Sequence, residues 1–357
     1  MRFLGPGELR LLNRLVLDPS LRQADLAKEL GVSRSAVNQI WSKLLSENNL
    51  RVRSNFDYGK IGLQMIFGWA VSKGSSDILT KFSRWLESSR LVTNIVASKM
   101  TSTFDSRLYF EALLPMDNQA SWFHSQVDRF RKKPYSLLIY TSEAARISHH
   151  MNLGLFDGSS WTFPSNFRLQ ASIGAASGYV DILPTTGSIE QSKPSGNVSN
   201  KILTATVLEN DYFATASSLA NLQAVLGIKL ESGRTLRRRI SIARKSIASP
   251  YVDIDNIGLN QRLLVCIQDD TYQESPLSRV LHAQAGAFPK ARVISGLGLT
   301  LLELMTPSSV EWLELSQVLS RLASTALETC TFIADISEKQ SRLESVVSHL
   351  ISRDPSG

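Results

Sequence analysis

Asp57-Tyr-Gly-Lys-Ile-Gly-Leu63 and Asp253-Ile-Asp-Asn-Ile-Gly-Leu259 are one phrase, Asp-x-x-x-Ile-Gly-Leu, written twice in the 357-residue chain. Leu30-Gly31 recurs as Leu226-Gly227 at the same offset. Self-similarity at a fixed long period marks a duplicated unit. The chain length suits two or more domains.

The stretches that follow the two phrases share an order of elements. After the first, Gln64–Ser72 reads as a strand and Asp77–Ser88 as an amphipathic helix with Ile78, Phe82, Trp85 and Leu86 inward. Strands over Val92–Ser98 and Ser106–Leu114, a helix over Asn118–Arg131 and a strand over Tyr135–Thr141 complete it. After the second, strands are expected at Arg262–Gln268, Ala291–Ser295, Gly298–Met305 and Thr329–Ile336. Helices are expected at Pro276–Gly286 and Val310–Ser324, with a terminal helix at Glu338–Ser352. The order βαββαβ is that of the ferredoxin-like split unit, an antiparallel sheet carrying helices on one face.

Ahead of the first phrase lies a helix-turn-helix pattern. Leu9, Leu12 and Val16 share a face of one helix, Asp18-Pro19 ends it, and a second helix runs from Arg22 to Leu30. Gly31 supplies the turn and Ser33 an N-cap for a third helix to about Ser46. Its Val37, Ile40, Trp41 and Leu44 fall on the buried face, and Ala27 is small where two helices cross. The opposite face presents Arg34, Ser35, Asn38, Gln39 and Lys43. Amides pair with adenine edges and long cations with guanine or phosphate, which suits a major-groove reader. Arg22, Gln23 and Ser33 flank that face, and Arg51 and Arg53 fall on one side of a strand resembling a basic wing.

The second helix-turn-helix has drifted. Gln223 stands where Ala27 does, Lys229–Gly233 lengthens the turn, and the next helix carries Arg234, Arg237, Arg238, Arg239, Arg244 and Lys245. Residues 229–245 hold seven cations and one anion, and residues 1–55 hold nine against five. The net charge of the chain is +7, so the rest is slightly acidic. Arginine without Asn or Gln suits phosphate contact better than base reading.

The expected division is 1–60 first winged helix-turn-helix, 61–142 first ferredoxin-like domain, 143–200 partly ordered linker, 201–258 second winged helix-turn-helix, 259–337 second ferredoxin-like domain and 338–357 terminal helix. The class is α+β, in tandem. Within the linker, Trp161–Phe163 and Phe167–Ala176 are apolar enough to pack, whereas Thr185–Asn200 has turn and linker composition. His149-His150 reads as a surface pair with no further metal ligands, and Cys266 and Cys330 form neither a disulfide framework nor a metal clamp. No secretory signal or membrane-length run is visible, so a cytoplasmic protein with no membrane partner is expected.

Both halves resemble the leucine-responsive regulator (Lrp/AsnC) family. The resemblance is carried by Asp25-Leu-Ala-Lys-Glu-Leu-Gly-Val-Ser33, Val37, Trp41, Leu44 and Asp57–Leu63, and it covers Leu11 to about Thr141 in the first copy. It implies a winged helix-turn-helix joined to a ligand-sensing, dimerising domain. Members are dimers of that unit, so the tandem chain resembles a single-chain pseudo-dimer open to further dimerisation. The family's Gly-x-aromatic-Asp turn corresponds to Ser102, Phe104 and Asp105 in the first copy, and to Gly296 and Gly298 in the second, where Leu299 replaces the Asp. The resemblance implies that these residues border an effector such as an amino acid.

The expected function is a sequence-specific regulator of double-stranded DNA, with one base-reading head and one arginine-rich head. Half-sites about one helical turn apart, roughly 34–36 Å, follow from the paired heads. Neutralising six phosphates gives a log-log salt slope of about −5. Two alternatives stand beside it. Fused chains resembling this one occur as sirohaem decarboxylases, with histidines near the second strand of the sensing domain. Here Thr93, Asn94 and Ile95, and then Lys290, Ala291 and Arg292, occupy those places. The sequence therefore offers no catalytic residue, and the chain is expected to be no enzyme and to hold no cofactor or metal. The other alternative is a sensor or scaffold with vestigial DNA heads.

Overall fold

Gly62 and Gly258 occupy the same place in the two phrases, and both adopt left-handed backbone, with φ of 84° and 87°. Gly31 and Gly227 match in the same way, at 66° and 67°. A side chain is strained in that conformation, so the repeated glycines mark repeated turns. The structure is a computed structural model and describes residues 2–73, 76–99, 105–116, 118–162, 198–269, 276–308, 310, 328–334 and 342–351.

The first head consists of α1 (Pro6–Leu17), α2 (Gln23–Leu30) and α3 (Arg34–Asn48), followed by β1 (Arg51–Phe56). Leu11, Leu12, Leu15, Leu26, Val37 and Leu44 form its core, at the spacing the sequence pattern requires. Ser33 caps α3, its Oγ accepting from the Ala36 amide at 3.1 Å. The second head repeats this with α6 (Val198–Asn210), α7 (Ala216–Val225) and α8 (Gly233–Ser246), followed by β7 (Ala248–Asp253). Three residues join α2 to α3 and seven join α7 to α8, an extension slightly larger than expected.

Both sensing domains have the ferredoxin-like strand order. The first contains β2 (Leu63–Lys73), α4 (Ser76–Ser88), β3 (Val92–Ala97), β4 (Asp105–Pro115), α5 (Asn118–Arg131) and β5 (Leu138–Glu143), arranged β3-β4-β2-β5. The second contains β8 (Leu259–Gln268), α9 (Pro276–Gln284), β9 (Lys290–Ser295), β10 (Leu299–Pro307) and β11 (Glu328–Ala334), arranged β11-β8-β10-β9. One face of each sheet packs its helices. The other faces its counterpart, so Phe67, Trp69 and Tyr109 share a core with Leu264, Cys266 and Phe332. Helix α10 (Leu343–Ile351) packs against that core through Val346 and Val347.

Two features depart from the sequence reading. First, β1 does not stand as a separate wing of the first head: it pairs antiparallel with β7, Arg51 opposite Asp253 and Phe56 opposite Ala248, and so joins the two heads in a ribbon. Second, the expected linker contains β6 (Arg146–Met151), which lies along β9 at the edge of the second sheet. The exchange is reciprocal, because Ser98, just past β3, bridges to Ala334 at the end of β11. Cys266 and Cys330, distant in sequence, lie opposite each other on β8 and β11 as buried thiols that form no disulfide.

Trp161 of the linker is buried as expected, donating its Nε1–H to the Ile257 carbonyl at 2.5 Å. The expected packing segment Phe167–Ala176, most of Thr185–Asn200 and the helix after Val310 lie outside the described residues. No helix among the described residues is long and apolar enough to cross a membrane.

Candidate functional site

Capping at Ser33 and burial of Val37 and Leu44 fix the rotation of α3. Arg34, Ser35, Asn38, Gln39 and Lys43 are therefore exposed on its outer face, together with Arg22 and Ser33, while Gln23 is half-buried. Lys43 also reaches Glu8 at 3.2 Å. Arg51 is exposed at the start of the ribbon. Arg53 is not available to DNA. Its Nε donates to Asp253 at 2.7 Å, and its side chain is only 11% exposed, because ribbon pairing turns it inward.

On α8, Arg234, Arg237, Arg238 and Lys245 are exposed. Arg244 is not a phosphate contact: it donates to the carbonyl oxygens of Tyr212 (2.7 Å) and Ala214 and covers the Tyr212 ring, which ties α8 to the α6–α7 loop. Arg239 is likewise held, by Glu231 and the Asn200 carbonyl. Gln223 is buried at the helix crossing, with its Oε1 unpartnered.

The expected effector turns behave differently. Ser102 and Phe104 lie outside the described residues, and Asp105 begins β4 opposite Lys73. Gly296 serves close packing rather than ligand space, since a Cβ there would stand 2.2 Å from the Glu143 carbonyl oxygen. Gly298, with φ 68°, shapes the β9–β10 turn and accepts from the Asp269 amide at 2.9 Å.

A cavity of about 380 Å³ opens between the ribbon, the two sheets and α10, and it is lined by charged residues from both copies. Glu111 on β4 and Glu303 on β10 are equivalent, each four residues before the closing proline of its strand. Their strand neighbours differ. Asn94 on β3 stands beside Glu111, and Arg292 on β9 beside Glu303. Arg292 crosses between the copies and grips Glu111 with both terminal nitrogens, at 2.6 and 2.9 Å. Tyr109 and Asn94 also donate to Glu111, at 2.8 and 3.1 Å. Glu303 pairs with Arg262 at 2.7 Å. Burial alone would raise the Glu111 pKa, but the Arg292 charge and its hydrogen bonds hold it below the ordinary value.

At the other end, Asp253 receives Arg53 (2.7 Å), Lys290 (2.8 Å) and Arg342 (3.4 Å). Glu209, at the end of α6, accepts from the Leu343 amide at 2.8 Å and caps α10. Burial pushes its pKa up to about 7, against the opposing pull of that hydrogen bond, Arg342 and Arg53. His149 stacks on Tyr251, with ring centroids 3.8 Å apart, and both line the cavity. Burial, reinforced by Arg292, keeps its imidazole neutral well below the ordinary range. The reading of His149-His150 as a surface pair is thus corrected, as both residues line the cavity. The pairing of β6 with β9 sets His149 opposite Arg292 and supplies the second strand with a histidine that its own sequence lacks. Among the described residues no cluster of three or more His, Cys, Asp or Glu side chains is arranged to hold a metal ion.

A family model described as winged helix-turn-helix DNA-binding matches residues 8–48. No curated protein matches the chain. Among solved structures, siroheme decarboxylase NirDL aligns over 97% of this chain and 98% of its own, at 11% identity and a TM-score of 0.51. The same enzyme in co-complex with an iron-uroporphyrin III analogue aligns over 96% of both chains, at 13% identity and a TM-score of 0.51. An AsnC family transcriptional regulator from Agrobacterium tumefaciens aligns over 40% of this chain and 91% of its own, at 17% identity and a TM-score of 0.29. The expectation that the chain is not an enzyme is overturned by the whole-chain likeness to NirDL, an enzyme. The tandem winged helix-turn-helix and ferredoxin-like architecture is the fold shared over that length.

Proposed function

We propose that this chain is a sequence-specific DNA-binding regulator, with two unequal heads carried on one duplicated sensing platform. The observation that carries this reading is the outer face of α3. Arg34, Ser35, Asn38 and Gln39 are exposed together, and the family model covers the helices that hold them. In this reading α3 enters a major groove and reads base edges, while Arg234, Arg237, Arg238 and Lys245 of α8 grip phosphates. The ribbon of β1 and β7 fixes one head against the other, so the preferred site is asymmetric. Duplex binding measured by fluorescence anisotropy across salt tests it. A log-log slope near −5 is expected for about six phosphate contacts, and undetectable or salt-insensitive binding contradicts it.

A second reading is favoured by the position of His149. A neutral imidazole beside Arg292 and Lys290, in a cavity between copies, is an arrangement that can bind a carboxylated substrate and move a proton. The fold likeness to siroheme decarboxylase fits this reading. A tetrapyrrole absorbance band that co-purifies with the chain and disappears in His149→Ala would support it. The absence of uptake of an added iron-uroporphyrin would reject it.

A further inference from the structure

We propose that the central cavity is a binding site for a small organic anion, with a ligand carboxylate seated at the Asp253 end. One carboxylate there faces three cations, Arg53, Lys290 and Arg342, at 2.7 to 3.4 Å. Two partly buried negative charges would balance that end better than one, because positive charge taken out of water is costly when incompletely paired. Glu209 supplies the second only in part, since one of its oxygens caps α10 and burial pushes its pKa up to about 7, which leaves it partly protonated at neutral pH. Asp255 does not supply it either, being exposed and bonded to Asn49.

Unpartnered buried atoms point to a ligand independently. Asn94 Oδ1 and Arg292 Nε, beside Glu111, and Ser54 Oγ, on the ribbon, have no hydrogen-bond partner, and all three residues line the cavity. Asn94 and Ser54 are only 6% and 2% exposed. Buried polar groups are almost always satisfied, and orphans of this kind require an explanation. A ligand with a carboxylate at one end and a hydroxyl or amine at the other answers both ends, and the cavity is of small-molecule size. Such a ligand shares Arg53 with Asp253, and the Arg53–Asp253 ion pair joins β1 to β7. On the regulator reading, anion binding and DNA binding are therefore linked, each changing the affinity of the other by the same factor.

Isothermal titration of the full chain with citrate as the probe tests the site. Saturable one-site binding is expected, weakened at least tenfold in Arg342→Ala, a side chain at the cavity edge that is 33% exposed. Asp253→Asn removes the carboxylate that shares these cations and is expected to bind citrate at least tenfold more tightly. Should that variant be too unstable for titration, citrate is expected to raise its melting temperature more than that of the wild type. Absence of saturable binding by the wild type, or binding indifferent to both substitutions, overturns the proposal. Citrate binding without any duplex binding would preserve the site and remove the regulator reading.

Discussion

Asp57 and Asp253 open the same phrase in the two copies, yet their surroundings differ. Asp57 is exposed and pairs locally with Lys60 at 3.2 Å. Asp253 is a partly buried hub for three cations drawn from β1, β9 and the start of α10. Asn94 and Arg292 diverge in the same way, one a neutral neighbour of its glutamate and the other an arginine that crosses to the opposite copy. The heads also diverge, with a small Ala27 and an amide-bearing reading face in one, and a buried Gln223 and an arginine face in the other. A symmetric dimer of separate chains would have to place every such change twice. Duplication within one chain lets backbone turns stay common while charge is divided, and the ribbon and the exchanged strand β6 hold the unlike halves in register.

The largest effect that breaks the comparison is expected at the crossing ion pair. Arg292→Ala leaves Glu111 buried without its main partner and should cost about 3–5 kcal/mol in urea unfolding. Asn94→Ala, at the equivalent position, removes a neutral donor and should cost about 1 kcal/mol. Equal losses would show that the two sites are not differentiated.

Next comes Glu209. An unfolded glutamate titrates near 4.3, whereas Glu209 titrates at about 7. Between those values only the folded state keeps the proton, so this group lowers stability as pH rises from about 4.5 to 7 and adds no further change above that. The loss amounts to as much as about 3 kcal/mol. Glu209→Gln retains an acceptor for the Leu343 amide and should flatten that part of the stability–pH curve, as followed by denaturation midpoints.

The heads should separate under a matched pair of substitutions. Replacing Asn38 and Gln39 by Ala should remove about 1–3 kcal/mol of discrimination per lost base contact, with little change in salt dependence. Replacing Arg237 and Arg238 by Ala should weaken binding to all duplexes alike and reduce the log-log salt slope by about 2 units. The smallest effect is expected at Gln223, at the crossing in the second head. Gln223→Ala should shift stability by less than about 1 kcal/mol, since a lost packing volume offsets the relief of an orphaned amide oxygen. Ala27→Gln overpacks the corresponding crossing and should cost about 1–3 kcal/mol.

Local chemistry was legible in the sequence. The left-handed glycines, the Ser33 cap and the apolar spacing of α3 each act within a few residues, and their repetition revealed the duplicated fold. What the sequence concealed depends on pairing between distant segments. Arg53 reads as a wing cation until β7 is laid beside β1, which brings Asp253 to it. His149 reads as a surface residue until β6 joins β9. Arg244 reads as a phosphate contact until the α6–α7 loop places two carbonyl oxygens against it. In each case a side chain judged by its own element was turned by a partner that no local pattern names.

Selection of bound duplexes from a random pool, for the wild type and for the Asn38→Ala, Gln39→Ala double variant, separates base reading by one head from backbone gripping by the other. The wild type is expected to enrich one asymmetric sequence, and the double variant to bind without enrichment. Enrichment of a symmetric site, equal enrichment by both proteins, or none by either would contradict that expectation.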